Sequence, residues 1–460
     1  MTSLSTADAA TAALRERLTG EVFTPGDPGY DEARTVHNAM IDRRPAVIAR
    51  CAHEDDVVRA VRFGRELDLP IAVRGGGHSV SGQALNDGGL VIDLRLMHDV
   101  TVHPAAGAVR VGGGATMSHL DRGTQPYGLA TTGGRASTTG VGGFVLGGGT
   151  GWLDRWCGLA VDNLLGVELV TADGRRIQAG PDENADLFWA LHGGGGNFGI
   201  ATALTLKLHE LPDFSMALVL YPPESGERVV RTYRDIIEPG PDEAGGGVIY
   251  LTGPPAEFVP PHLVGTLLCG MLLTYAGPEA NLRELAEPLL ALPHEAEVVG
   301  AVPYADLQCM IDDPPGLRNY WSAEYLTGLP DEAVDVYCAR AASMPVPSGT
   351  QHTLFPQGGA ISDGPSDYPV PYRDASWVVH PFGVWEDPED DERGVRWVRD
   401  VRADVRPWST GAVYLNFIGD EGADRVAAGL GTENTRRLAE LKRRYDPDNV
   451  FRFNHNIRPA

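Results

Sequence analysis

The residues best placed to do chemistry form one short run, Arg74-Gly75-Gly76-Gly77-His78-Ser79. Three glycines in succession leave their backbone N–H groups clear of side chains, so the amides can approach a pyrophosphate closely and curl into an anion-binding nest. An imidazole directly after such a nest can reach the ring of a cofactor whose phosphates the nest holds. The run follows LPIAVR (69–74), which reads as a buried strand emptying into the glycines.

Two other glycine clusters suggest different chemistry and fail on spacing. Gly140, Gly142 and Asp162 fit the start of a dinucleotide fingerprint, with an acidic residue about twenty positions on. The third glycine of that pattern falls on Val145, and the segment does not open a clean helix after a parallel strand. HGGGGNFG (192–199) lacks the Lys and Ser/Thr that a phosphate-binding P-loop needs.

The elements that must position these loops read as an α+β pattern. AVIAR (46–50) is a short apolar run. The helix that follows it places Val57, Val58, Val61 and Leu67 at helical spacing. GGLVIDLR (88–95) and GAVRVGGG (107–114) read as two further strands. Residues 131–151 are so rich in glycine that a helix across most of them would be costly, so loop or closely packed backbone is expected. LLGVELVTADGRRIQAG (164–180) has the form of a hairpin turning at Asp173-Gly174. NADLFWALHGGGGNFGIATALTLKLHEL then reads as helix, glycine loop and strand. A domain boundary is expected after Leu211-Pro212. Residues 213–420 form a second α+β domain with proline-punctuated connections, and 421–460 return with an amphipathic helix stopped at Tyr445-Asp446-Pro447. No internal repeat is present.

Composition narrows the partners. A chain of 460 residues with 43% hydrophobic and 22% charged residues is globular and long enough for two domains. Its formal charge of −24 repels polyanions, which removes nucleic acid as a partner. Five scattered cysteines, never spaced C-x-x-C, suggest neither a disulfide framework nor a zinc site, and no metal is expected. With no secretory leader in the first twenty residues and no apolar run of about 20, the expectation is a soluble cytoplasmic protein without a membrane partner.

Taken together, RPAVIARC, RGGGHS, GGLVIDLR, TTGG with STTGVGGFVLGGGTGW, GLAVDNLLGVELVTADG, DLFWALHGGGGNFGIAT and RRYDPDNVFRFNHNI resemble the FAD-linked oxidases. This is the family of the p-cresol methylhydroxylase and vanillyl-alcohol oxidase type, and the chain is similar to its berberine-bridge-enzyme-like branch. The resemblance is dense over 1–212, good over the last 45 residues and loose between them. It implies a two-subdomain FAD-binding domain of the p-cresol methylhydroxylase type and an α+β substrate domain with an antiparallel sheet.

The resemblance further implies that His78 bonds covalently to the 8α carbon of the flavin. Arg74, Gly75, Gly76, Gly77 and Ser79 would wrap the pyrophosphate. Thr132, Gly133, Gly140, Gly142, Gly143, Gly148, Gly149, Gly199 and Ile200 would line the rest of the cofactor, with Asn454 and Asn456 at the polar edge of the ring. Many relatives carry a second, cysteinyl bond in a G-V-C-P-T-V-G-like stretch. Here the stretch reads G-R-A-S-T-T-G, with Ala136 in the cysteine's place, so single attachment through His78 is expected. Cys157 reads as a small packed thiol rather than a substitute link.

Oxidation of an alcohol or amine carbon needs hydride delivery to the flavin and a base for the attached O–H or N–H proton. Tyr414, in GAVYLNF, resembles a family strand that lines the flavin face, and Asn416 would point the same way. Thr139 would shape an oxygen site. Tyr250, Tyr320, Trp321 and His352, with Tyr325 nearby, are candidates for a substrate wall. The expected reaction is oxidation of a small organic substrate by FAD, re-oxidised by dioxygen with release of hydrogen peroxide. The alternatives are an oxygenating or cyclising enzyme of natural-product biosynthesis, a flavin dehydrogenase with another electron acceptor, and a non-catalytic flavin-binding protein.

Overall fold

A computed structural model of the chain describes residues 6–460. Three sheets carry the architecture. The first has four strands in the order 21–23, 47–50, 90–93, 71–74. Val47–Arg50 and Ile71–Arg74 both run parallel to Leu90–Asp93, and the helix Glu54–Glu66 makes the crossover between them. Parallel strands joined through a helix are buried on both faces, which matches the fully buried LVID of 90–93. This sheet fixes the exit point of the strand that ends at Arg74.

The second sheet has five antiparallel strands in the order 100–103, 108–112, 200–207, 164–170, 176–179. The hairpin expected at Asp173-Gly174 is there, with Gly174 at a φ of 72° that a side chain would resist. Within 131–151 only Val141–Leu146 is helical, and the glycines around it stay extended or turned.

The third sheet has eight strands, all antiparallel. Its path runs 296–301, 215–221, 267–275, 244–252, 351–356, 377–385, 318–321, and Glu324–Leu326 also pairs with the strand Trp377–Trp385. One face is covered by amphipathic helices, among them Gly226–Ile237, Asp331–Ala341 and Asp391–Val405, which enclose a core with Tyr250, Tyr337, Leu354 and Val398. The other face contributes Phe355, Tyr325 and Val378 to a core shared with the second sheet. Because side chains alternate along a strand, residue parity decides which environment each side chain enters.

The C-terminal segment is pinned by a buried charge. From the helix Thr432–Tyr445, Lys442 Nζ donates to Asn197 O at 2.6 Å, Phe451 O at 2.8 Å and Asp446 Oδ2 at 2.7 Å. A fully buried ammonium persists only when paired and hydrogen-bonded throughout. Those three bonds fasten residues 451–457 against the glycine loop 193–199.

Candidate active site

A cavity of about 370 Å³ opens between the sheets. One wall is mostly bare backbone, supplied by Gly113 and by the glycines within 75–77, 140–147 and 193–199, with Phe144, Leu146 and Asn197 among them. A Cβ on Gly76 would lie 2.3 Å from the amide N of Gly140, and the reverse also holds. The two glycine loops therefore touch through their main chains, which no other residue type permits. A Cβ on Gly143, Gly195 or Gly196 would meet nothing within 4 Å, so these positions face open space.

His78 stands at the end of this wall. Its Nε2 lies 2.8 Å from Thr138 Oγ1, and its ring stacks on His37 at 4.0 Å with a 17° tilt. Burial, reinforced by His37, holds its pKa down at about 3, so the imidazole is neutral with a free lone pair. The loop bearing Thr138 and Thr139 is tied across the cavity, since Ser137 donates through N at 2.7 Å and Oγ at 2.5 Å to Asp312. Ser79, Thr139, Gly199 and Ile200 all line the cavity.

Tyr414 lies on the floor. The expected strand is absent: GAVYLNF is irregular chain ending in the short 3-10 turn Leu415–Phe417. Tyr414 and Asn416 nonetheless meet, because Asn416 Nδ2 donates to Tyr414 Oη at 2.7 Å and to Gly143 O at 3.0 Å. Tyr414 Oη also accepts from Gly149 N at 3.1 Å and donates to Phe144 O at 3.4 Å. Burial raises its pKa well above the usual phenol range, so the hydroxyl stays protonated.

The parity of the eight-stranded sheet corrects the expected substrate wall. Gln351, Thr353 and Phe355 on one strand, His380 and Phe382 on the next, and Trp321 all face the cavity. His352 and its cross-strand partner Tyr250 point the other way, into the helix-covered core, and are fully buried there. Tyr320, one residue before Trp321, lies under Arg399 instead, 5.6 Å from its guanidinium carbon. Tyr325 is packed beneath the wall against Tyr372. Of the aromatic candidates only Trp321 reaches the cavity.

Several expected cofactor residues also sit behind the wall. Arg74 is buried, donating to Ala33 O at 2.7 Å, with its Nε beside Gly77. Thr132 Oγ1 donates to Gly158 O at 2.6 Å, and Gly133 packs on Gln308. Gly148 and Gly149 back onto Tyr372, Tyr414 and Phe144. Asn454 and its neighbour His455 border the cavity, whereas Asn456 does not line it.

His37, Arg135, Asp313 and His380, none of which a recognisable motif singles out, also line the cavity. Arg135 lies 4.1 Å over the Phe355 ring and 4.8 Å over Trp152, with Asp154 at 3.5 Å. Burial, with Asp312 adjoining, pushes Asp313 up to about 7. Ala136 lines the cavity; Cys157 does not, and its thiol is raised to about 12 by burial while it contacts Thr132.

Comparison with known proteins agrees with this geometry. Residues 45–180 match the FAD binding domain family, and residues 413–458 match the berberine and berberine-like family. The chain is 32% identical to (R)-6-hydroxynicotine oxidase of Paenarthrobacter nicotinovorans, over 96% of this chain and 97% of that one. It is 30% identical to the FAD-linked oxidoreductase YgaK of Bacillus subtilis, over 97% and 98%. The crystal structure of 6-hydroxy-D-nicotine oxidase from Arthrobacter nicotinovorans superposes with a TM-score of 0.85 at 28% identity, covering 96% and 98%. Glucooligosaccharide oxidase of Acremonium strictum, a protein with 6-S-cysteinyl, 8α-N1-histidyl FAD, shares the fold at a TM-score of 0.84, 22% identity and coverage of 99% and 100%. The chain belongs to the FAD-linked oxidoreductases of the berberine-like type.

The residues present fit FAD. The glycine wall offers bare amides for phosphates, and Asn454 Oδ1 on the cavity border is buried without a hydrogen-bond partner. A buried polar atom left unpaired is costly, and a ligand's polar edge would satisfy it.

Proposed function

We propose that this enzyme holds FAD by a single covalent bond to His78 and oxidises a small alcohol, amine or natural-product intermediate, with dioxygen as the final acceptor and hydrogen peroxide released. The observation that carries the reading is the His78 ring at the edge of a glycine-walled cavity, held by Thr138 and stacked on His37. With Nε2 engaged by Thr138, Nδ1 is the nitrogen left for the bond, the counterpart of the N1-histidyl link in glucooligosaccharide oxidase. Ala136 at the position of a second link, and the absence of cysteine from the cavity wall, support single attachment.

When bound, FAD supplies the redox chemistry by accepting a hydride from the substrate carbon. The chain's residues supply the rest. Gly75 to Gly77, Ser79 and Gly140 to Gly143 would hold the pyrophosphate through their amides, and Asn454 the polar edge of the ring. Tyr414 and Asn416, bonded to each other and to the glycine wall, fix the floor and keep a protonated hydroxyl there. Trp321, Phe382 and Phe417 would make the apolar part of a substrate wall. Residues 1–212 with 421–460 would be the FAD-binding part and 213–420 the substrate-binding part, a division supported by the third sheet lying within 215–385. Five free cysteines support a reducing, cytoplasmic setting.

Acid precipitation tests the tether. The pellet of the purified protein should be yellow and fluorescent, and that of His78→Ala colourless. Flavin found only in the supernatant of the wild type would refute the covalent bond.

A further inference from the structure

We propose that His380 is the catalytic base, accepting through Nε2 the proton that the substrate's O–H or N–H loses on oxidation. This rests on the oxidoreductase reading above and assigns its proton acceptor to a residue other than Tyr414.

His380 lies on the strand Trp377–Trp385, with its side chain on the cavity face. Its Nδ1 is 2.7 Å from the carbonyl O of Ser322. A carbonyl only accepts, so Nδ1 carries the hydrogen and a neutral ring must keep its lone pair on Nε2. Nε2 has no hydrogen-bond partner among the described residues, and the residue is 6% exposed, bordering the cavity. The ring cannot swing away. It stacks on Phe417 at 4.0 Å with an 8° tilt, and Trp321 meets it edge-on at 6.2 Å and 88°. Thr353 Oγ1 donates to the His380 carbonyl at 2.6 Å, which fixes the backbone beneath it.

This is a lone pair held in place with its tautomer set, in an apolar wall opposite the glycines. Tyr414 offers the reverse: its hydroxyl accepts two hydrogen bonds, donates a third and is kept protonated by burial. The charged and titratable groups that share the cavity with His380 are Arg135, which disfavours its protonation, Asp313 on the loop before Arg318, Tyr414 beside Phe417, the His37 and His78 pair, and His455, which burial keeps neutral. Burial and Arg135 together hold the imidazole neutral down to about pH 4.

The step balances. The O–H or N–H bond breaks and its proton joins Nε2, giving an imidazolium. The adjoining C–H bond breaks and its electron pair leaves with the hydrogen to the bound FAD. The substrate gains a C=O or C=N bond and has lost two electrons, and the imidazolium returns its proton to solvent before the next turnover.

Two measurements test this on the holoenzyme. In the first, ¹⁵N-histidine NMR, with His380→Gln and His380→Asn to assign the signal, should show an Nδ1–H tautomer with bare Nε2 from pH 5 to 9. A protonated Nε2 at pH 7 would overturn the proposal with no substrate needed. In the second, a panel of secondary amines, aromatic alcohols and oligosaccharides is screened for anaerobic flavin bleaching, and the fastest compound is carried forward. His380→Gln should slow bleaching at least ~100-fold, in line with a lost general base, with KM changed only a few-fold. Added imidazole should restore rate to His380→Gly in proportion to its concentration. Wild-type bleaching should be level from pH 5 to 9; a rate still climbing above pH 9, or full speed in His380→Gln, would contradict the assignment. A yellow acid pellet from the variants shows the cofactor reading intact, so its failure is separable: a colourless wild-type pellet indicts the tether, and the NMR still decides His380.

Discussion

His352 and His380 occupy neighbouring strands of one sheet, both buried and both held neutral, at about pKa 3 and 4. The helix-side ring bonds through Nε2 to Tyr337 O at 3.0 Å and packs between Tyr337 and Trp397, with nothing but protein around it. The cavity-side ring also spends one nitrogen on a carbonyl, yet its other nitrogen borders open space. The same residue type, with the same loss of charge, becomes core on one face and a candidate base on the other. Strand parity makes the difference, not chemistry.

The sharpest way to break this comparison is to make the same substitution on both faces. His380→Gln should cost at least ~100-fold in flavin reduction and, with one edge of its ring on open space, destabilise the fold less than the core substitution does. His352→Gln should do the opposite, destabilising the fold by about 1–3 kcal/mol through lost packing and an unsatisfied core, with reduction within two-fold of wild type. Chemical denaturation and stopped-flow bleaching of the two variants measure both numbers.

Acid should treat the two faces alike. A histidine whose folded pKa lies below 6.5 gives up stability as pH falls from 6.5 toward that folded value, because the unfolded chain takes the proton first. His192, His209 and His380 at about 4, and His352 at about 3, act in this direction. Asp121 and Asp313, raised to about 7, act against it, since the native state binds their protons first as pH falls from 7. The histidines outnumber them, so stability should fall between pH 6.5 and 4.5, by on the order of 2 kcal/mol per pH unit at the steepest. Replacing either His352 or His380 by Gln should flatten that slope. Thermal melts across the range check it, and a melting temperature that rises on acidification would contradict it.

The smallest effects separate adjacent residues. Trp321→Phe, on the cavity face, should shift KM a few-fold. Tyr320→Phe should change neither KM nor stability by more than about 0.5 kcal/mol, since its hydroxyl meets only the exposed Arg399, at 3.5 Å.

What the sequence disclosed follows the same division. That the glycine loops and His78 would share one cavity was legible because the signal is local: a bare amide, a tight turn and an adjacent imidazole need no distant partner to be recognised. The hairpin at Asp173-Gly174 and the stop after Tyr445 were legible for the same reason. The substrate wall was not. Tyr250 and His352 face each other across two strands in register, and only the assembled sheet decides which side that pair takes. Trp321 and Tyr320 were inseparable as adjacent aromatics until the register with Phe382 and Gly383 was known. His380 could have been found from the alternation with Phe382 in WVVHPFGVW, had the burial of one face been known. Arg74 and Gly149 were close to the right place in sequence but lie one layer behind the cavity, a distinction of depth that motif spacing does not carry.

The most direct measurement is peptide mass mapping of the purified enzyme. Trypsin should release Gly75–Arg95 as one peptide bearing His78. That peptide should carry the added mass of the flavin nucleotide, with fragmentation placing it on His78. An unmodified Gly75–Arg95 peptide from protein that visibly contains flavin, or the added mass on another peptide, would contradict the account.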